Sequence, residues 1–149
     1  MSEYIRAEKV KEVLDYLIES YRNDLSGVNI EPLFRDSLII NKTKEVWARI
    51  HKVSNLYKFL LRIDFIIEVY KDVWEALSDE GKRALVAHEL RHIKVDFDKN
   101  GERVLSLIPH DFEEFEEIIN QYGFWKEDLK RLKELVLNKE KIRGLKRKE

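Results

Sequence analysis

Ala84-Leu85-Val86-Ala87-His88-Glu89-Leu90-Arg91-His92-Ile93 is the stretch that decides how this chain folds, because it contains the pattern H-E-x-x-H. Ser78 upstream is a good helix N-cap, and the two acidic residues after it complement the positive end of a helix. We therefore predict a helix from Ser78 to about Asp96. Residues four apart lie one turn above each other, so His88 and His92 can reach one metal ion.

Glu89 follows the first histidine and lies beside the expected ion without needing to bind it. From there its carboxylate can take a proton from a water that the metal activates and deliver it to a leaving amine. The competing interpretation is a charged helix with two ordinary histidines. The helical setting favours the metal site.

A catalytic zinc site needs a third protein ligand. His110 is one source, 18 residues after His92, if a loop with a glycine turn brings it back over the metal. The other source is a carboxylate of the next predicted helix, as in gluzincins: Glu113, Glu114 or Glu117. We favour His110, because imidazole is the usual neutral ligand of zinc and the chain has only 4 His. Asp96 would lie on the same helix and would be poorly placed for tetrahedral geometry.

The composition limits both the class of protein and its metal chemistry. With 149 residues, 44% hydrophobic and 38% charged, the chain predicts one globular domain. It has no cysteine, so any metal must be held by His, Asp or Glu, and a reducing cytoplasmic location is expected. No apolar run is long enough to span a membrane, and the charged start Met1–Arg6 gives no secretory signal.

The hydrophobic pattern predicts the elements around the motif. Apolar residues at helical spacing indicate an amphipathic helix over Glu8–Tyr21. Alternation makes Arg62–Tyr70 the clearest strand. It is either an edge strand beside the active helix, to which an extended peptide could add, or an ordinary core strand without a role in substrate binding. Asp36–Asn41 is a short strand candidate, and Pro32 is expected to interrupt regular structure.

Other segments are more ambiguous. Residues 45–53 fit strand or helix, and residues 54–61 look helical. Downstream, Asp111 can cap a helix that Gly123 ends, and Asp111 could alternatively accept a hydrogen bond from a ligand histidine. A last helix is expected from Trp125 to about Lys141.

Four segments resemble the phage-type metallopeptidases, which are small cytosolic zincins: Ala84–Ile93, Pro109–Phe115, Tyr122–Trp125 and the upstream strand Asp64–Glu68. The resemblance covers about residues 30–126. The core pattern is also similar to the SprT-like proteases and minigluzincins. It differs from the SprT-like pattern in lacking the zinc ribbon that often follows, since there is no cysteine.

By this resemblance His88, His92 and His110 would bind Zn²⁺, and Glu89 would be the general base. The fold would be α+β and minimal zincin-like, with an N-terminal helix, a sheet of about three strands, the H-E-x-x-H helix and C-terminal helices in one domain, residues 1–149. The expected function is a zinc metallopeptidase that hydrolyses protein or peptide substrates. The alternatives are a catalytically inactive zinc-binding scaffold or regulatory module, and a helical interaction protein without metal.

Three further features leave alternatives open. An oxyanion-stabilising donor could be Tyr70, Tyr122 or Arg91. His51 has no partner at metal-binding spacing, and we interpret it as structural or surface-exposed. Residues 126–149 carry a net charge of +5, and the basic tail from Lys139 predicts at most a weak nucleic-acid contact.

Overall fold

The computed structural model describes residues 3–148, with side chains described up to residue 140. The chain contains two compact units, Met1–Ile108 and Pro109–Glu149. The first unit holds eight strands: β1 (Tyr4–Arg6), β2 (Ile30–Arg35), β3 (Ile39–Asn41), β4 (Lys44–Val46), β5 (Ala48–Lys52), β6 (Phe65–Tyr70), β7 (Ile93–Phe97) and β8 (Arg103–Leu107). Within residues 3–148 there are also a short 3₁₀ helix (Asn23–Leu25) and six α-helices: α1 (Glu8–Tyr21), α2 (Asn55–Leu61), α3 (Lys71–Ala76), α4 (Asp79–Arg91), α5 (Glu116–Tyr122) and α6 (Glu127–Lys148).

A four-stranded sheet in the order β1-β2-β6-β5 forms the centre of the first unit. Strands β2 and β6 are parallel, and the other two pairs are antiparallel. The α+β class is therefore confirmed, but the main sheet has four strands rather than about three. Pro32 does not interrupt the structure: it lies inside β2, and its carbonyl accepts the backbone N–H of Ala7 at 3.2 Å.

One face of this sheet carries the hydrophobic core. Phe65, Ile67 and Val69 alternate along β6, and all three are buried. The apolar faces of α1 and α4 contribute to the same core, and their buried members are Val10, Leu14, Leu17, Val86 and Leu90. The bounds of α1 agree with the periodicity of its sequence.

The structure decides between the two interpretations of the strand predicted over Arg62–Tyr70 in favour of a core strand. Strand β6 begins at Phe65, not at Arg62, and lies between β2 and β5 in the interior of the sheet. Sequence alternation cannot distinguish an interior strand from an edge strand, because both have one buried face. The edge next to β6 is β5, within the segment whose sequence was ambiguous.

Helix α4 begins as predicted and ends earlier than predicted. The Ser78 hydroxyl accepts the backbone N–H of Gly81 at 3.1 Å, which is an N-cap. The helix ends at Arg91, because Arg22 donates to the carbonyls of Leu90 at 2.6 Å and Ile93 at 2.9 Å. These bonds satisfy carbonyls that another helical turn would otherwise use.

The segment after α4 is a β-hairpin rather than a continued helix. Strands β7 and β8 pair antiparallel, with Ile93 opposite Leu107, and Gly101 takes a φ of 77° in the turn. Ile93 is completely buried. Apolar and polar residues alternate over 93–97, which is a strand signal, but the segment directly follows a strong helical pattern and so also fits a longer helix.

The second unit contains α5 and α6. The N-cap position of α5 is Phe115, so Asp111 does not cap this helix. Gly123 ends it with a φ of 68°, as expected. Helix α6 begins at Glu127 and extends to Lys148, beyond the predicted end at Lys141. Among the described residues, no helix has both the length and the apolar character needed to cross a membrane.

Candidate metal centre

His88 and His92 lie on one face of the C-terminal part of α4. His88 is in the last turn, and His92 is the C-cap residue that follows Arg91. Their ring centroids are 5.2 Å apart and the rings are nearly perpendicular, with an interplanar angle of 75°. The helical spacing therefore brings the two imidazoles together, as the motif predicts.

A hydrogen bond to the hairpin orients the His92 ring. Its Nδ1 lies 2.6 Å from the carbonyl oxygen of Ile108. Because a carbonyl can only accept, Nδ1 must carry the proton, which leaves Nε2 with its lone pair available. Metal-binding histidines are commonly oriented in this way by a backbone carbonyl.

The same hairpin returns the chain to the motif. The register that places Ile93 opposite Leu107 continues by one more pair, in which the N–H of Ile108 donates to the carbonyl of His92 at 2.8 Å. His110 is only two residues further along the chain. The chain was expected to return to the motif through a loop with a glycine turn, and in the structure it returns through a hairpin of two paired strands.

The structure brings His88, His92 and His110 together. One ligand atom from each residue lies within 4.8 Å of the other two, and within the described part of the chain no carboxylate belongs to this group. A Zn–N bond is about 2.0–2.1 Å, so small side-chain rotations would let all three nitrogens reach one ion. Three imidazole donors suit zinc, which fits the ion that the motif implies.

None of the alternative carboxylate ligands belongs to the group of three histidines. Glu113 and Glu114 precede α5 instead of lying on a helix, and Glu117 is in its first turn. The Glu114 carboxylate is 3.4 Å from the ammonium group of Lys126. Asp96 lies in β7, so it is not one helical turn past His92.

Glu89 is one of few buried charged residues in the described chain, with 5% of its surface exposed. Burial raises the pKa of its carboxyl above the ordinary value, and the charges of His92 and His51 offset only part of that effect. A carboxylate with a raised pKa accepts a proton more readily near neutral pH, which suits a general base.

A charge cluster on the opposite face of the sheet from the core was missed by sequence reasoning. Glu68 is buried and contacts the imidazole Nε2 of His51, while its Oε2 accepts from Arg49 Nε at 2.6 Å. Arg35 is fully buried and its Nη1 is 3.9 Å from Glu68 Oε1. The polar face of β6 indicated solvent rather than burial, so only cross-strand pairing reveals this cluster.

The three candidate oxyanion donors differ in position. The Tyr70 hydroxyl donates to Asp72 at 3.1 Å. Arg91 lines a groove between α1 and α4 with Tyr21, and Tyr122 is exposed near the end of α5. A role for any of them stays a prediction.

The side chains of residues 141–149 lie outside the described residues, so the proposed nucleic-acid contact of the basic tail also stays a prediction.

An α+β fold with an H-E-x-x-H helix against a small sheet defines a zincin-like protein. The chain belongs to the family described as "Putative phage metallopeptidase", whose family model matches residues 2–136. The resemblance inferred from the sequence is thereby confirmed, and the match includes α1 and part of α6. The family suggests metallopeptidase activity and implies a metal ion. No curated protein and no solved structure matches the chain.

Proposed function

We propose that this protein is a zinc-dependent metallopeptidase that hydrolyses peptide bonds in proteins or peptides. The observation that carries the proposal is the convergence of His88, His92 and His110, whose ligand atoms lie within 4.8 Å of one another beside the buried Glu89. Zn²⁺, when bound, supplies a Lewis acid that polarises a carbonyl and lowers the pKa of water. The three imidazoles would hold that ion.

Glu89 would move the proton of the reaction. Its carboxylate accepts a proton from the attacking water, whose oxygen forms a new bond to the peptide carbonyl carbon. The protonated carboxyl then gives that proton to the amine nitrogen as the C–N bond breaks. Burial of Glu89 supports both steps, because a raised pKa brings the carboxyl closer to the pKa values of its proton-exchange partners.

The outer edge of β5 is the best candidate for binding substrate main chain. At one end of β5 the backbone carbonyl of Trp47 accepts the N–H of Tyr70 at 2.8 Å, and at the other end the N–H of Val53 donates to the backbone carbonyl of Asp64 at 2.9 Å. Backbone groups that face the neighbouring strand alternate with groups that face away from it. The residues of β5 whose backbone N–H and C=O groups point away from β6 are therefore Ala48, Ile50 and Lys52. Within residues 3–148, no strand pairs with this edge. An extended peptide could add here as a further strand.

The test is the substitution Glu89→Gln in the zinc-loaded full-length protein. We expect it to reduce cleavage of an unfolded protein such as casein by at least a hundredfold, because the general base is lost. Zinc content should stay at one ion per chain, since Glu89 is outside the ligand group. A matched control is Glu19→Gln on α1, which should leave cleavage unchanged.

Two results would contradict the proposal. If the wild type and the Glu89→Gln variant cleave equally well, Glu89 is not the general base. If the zinc-loaded wild type cleaves no member of a broad protein panel, with and without DNA, the inactive zinc-binding scaffold becomes the better interpretation.

A further inference from the structure

Helix α2 exposes all of its large apolar side chains to solvent. None of its seven residues is buried. Five of them are large and apolar, and their exposed fractions range from 56% to 82%: Leu56, Tyr57, Phe59, Leu60 and Leu61. A surface helix normally turns such residues toward the core. This helix therefore leaves unburied an apolar surface of the kind that marks interaction sites.

An ion pair fixes which side of α2 faces the protein. At 100° per residue, the five apolar side chains span about 200° of the helix, and Asn55 and Lys58 lie on the remaining side. Lys58 Nζ is 2.8 Å from Asp64 Oδ1. Asp64 is itself anchored, because its Oδ2 accepts the N–H of Asn29 at 2.9 Å. The polar side thus holds α2 to the protein, and the apolar side points outward.

The position of α2 connects it to the proposed peptide-binding edge. The helix begins three residues after β5 ends at Lys52, and Val53 between them is buried. Strand β5 packs against α4, the helix that carries the proposed general base Glu89. The first residue of α2, Asn55, is four positions after His51, so their Cα atoms are at most about 14 Å apart.

Two other occupants of this surface fit less well. A seven-residue helix is only about 10 Å long, so two copies packed through it would bury less than the roughly 800 Å² per partner of a standard interface. A membrane-binding helix normally carries several cationic side chains on its polar face, but α2 itself contains one lysine, Lys58, and that lysine is engaged with Asp64. A peptide that already pairs along β5 needs only a small added apolar contact.

We propose that α2 is the docking surface for large apolar side chains of the substrate, so that the protein acts on polypeptide segments rich in leucine and aromatic residues. This inference rests on the proposed peptidase function. Strand addition along β5 binds main chain without reading side chains. Helix α2 supplies the selectivity that such pairing lacks, and segments of this composition are those that unfolded proteins expose.

Binding to the zinc-loaded full-length Glu89→Gln variant tests the inference without requiring cleavage. Two labelled peptides of equal length and charge are compared, one with Leu and Phe and the other with Ser and Thr at the same positions. We expect the apolar peptide to bind at least tenfold more tightly. The further substitutions Phe59→Ser and Leu60→Ser together should abolish that preference and leave the affinity for the polar peptide unchanged.

The matched control removes exposed apolar side chains elsewhere. Ile5→Ser on β1, at the other edge of the sheet, and Tyr21→Ser at the end of α1 should together leave the preference intact. All variants should keep the thermal unfolding midpoint of the parent, because the replaced side chains are exposed.

Three outcomes would overturn the inference: equal binding of the two peptides, a preference that survives the α2 substitutions, or an α2-dependent dimer or vesicle interaction without peptide preference. Dimers are measured by light scattering, and vesicles of phosphatidylcholine and phosphatidylglycerol by flotation. Failure of the peptidase function is distinguishable. If the wild type cleaves casein but the variant binds both peptides equally, only the docking role of α2 is contradicted. If the variant prefers the apolar peptide but the wild type cleaves nothing, only the peptidase function is contradicted.

Discussion

Burial changes the proton affinity of a single residue, Glu89, in the direction that its proposed role as general base requires. The side chain lies on the sheet-facing part of α4 between Val86 and Leu90, both of which are buried. Desolvation disfavours its charged form and raises its pKa, and His92 and His51 keep part of that effect in check. The motif predicts the identity of this residue, but the pKa depends on the packing around it.

The third ligand is tested by removing it. We expect His110→Ala to weaken zinc binding by more than a hundredfold, a larger loss than the 10–100-fold typical of residues that only orient a ligand. Glu113→Ala and Glu117→Ala are the controls and should leave the affinity unchanged. Zinc affinity is measured by competition with a chromogenic chelator. If a glutamate variant loses the metal and His110→Ala keeps it, the site is a gluzincin site.

Glu68 makes a separate prediction about stability. Burial alone would raise the pKa of its carboxyl, but hydrogen bonds from Arg49 and His51 outweigh burial and hold the pKa below the ordinary value of 4.5. Glu68→Gln should lower the free energy of unfolding at pH 7 by about 2 kcal/mol, because it leaves the buried Arg35 without its nearby negative charge.

The sign of the pH dependence follows from the lowered pKa. The ionised carboxylate contributes stability above the unfolded-state pKa, and the contribution is lost as the pH falls through the lower folded-state pKa. The stability difference between wild type and Glu68→Gln should therefore be full at neutral pH and shrink below about pH 4.5. Urea unfolding at pH 7, 4.5 and 3 measures it. A difference that does not change with pH would contradict this assignment.

At the scale of elements, the β7–β8 hairpin does most to assemble the site. It ends α4 beside His92, returns the chain to Ile108, and places a backbone carbonyl against the His92 ring. The sequence predicted a glycine turn between His92 and His110 but neither strand, because a run of five residues gives a weak periodic signal beside a strong helix. His110 was expected near the other two histidines through a loop, and the structure places it near them through a paired hairpin. Its role as a metal ligand stays a prediction.

Helix α4 offers a direct test of local stabilisation. Ser78→Ala should lower the free energy of unfolding by about 1 kcal/mol, since the hydroxyl that accepts from Gly81 N is lost. Ser54→Ala is the matched control, because Ser54 occupies the N-cap position of α2 without a side-chain capping bond. Chemical denaturation of the zinc-free protein compares them. Equal losses in both variants would contradict the capping role of Ser78.

At the scale of the whole molecule, the ligands come from sequence positions that only the folded chain brings together. A metal that binds the folded chain and not the unfolded chain stabilises it by mass action, by about 2.7 kcal/mol at a free concentration 100 times the Kd. Added Zn²⁺ should therefore raise the thermal unfolding midpoint of wild-type protein, and a chelator should reverse the increase. His110→Ala should show a much smaller rise, and an equal rise in both proteins would argue against this site.

The sequence by itself determined the H-E-x-x-H motif, the α+β class and the family, and it predicts Glu89 as the general base. These are local properties: helical spacing aligns His88 with His92, and the absence of cysteine restricts the ligands to nitrogen and oxygen. Tertiary structure decided which strand is the edge, how His110 reaches the other histidines, and that α2 turns its apolar side outward. Each of these depends on pairing between residues distant in sequence, and hydrophobic periodicity along one segment does not record the partner of that segment.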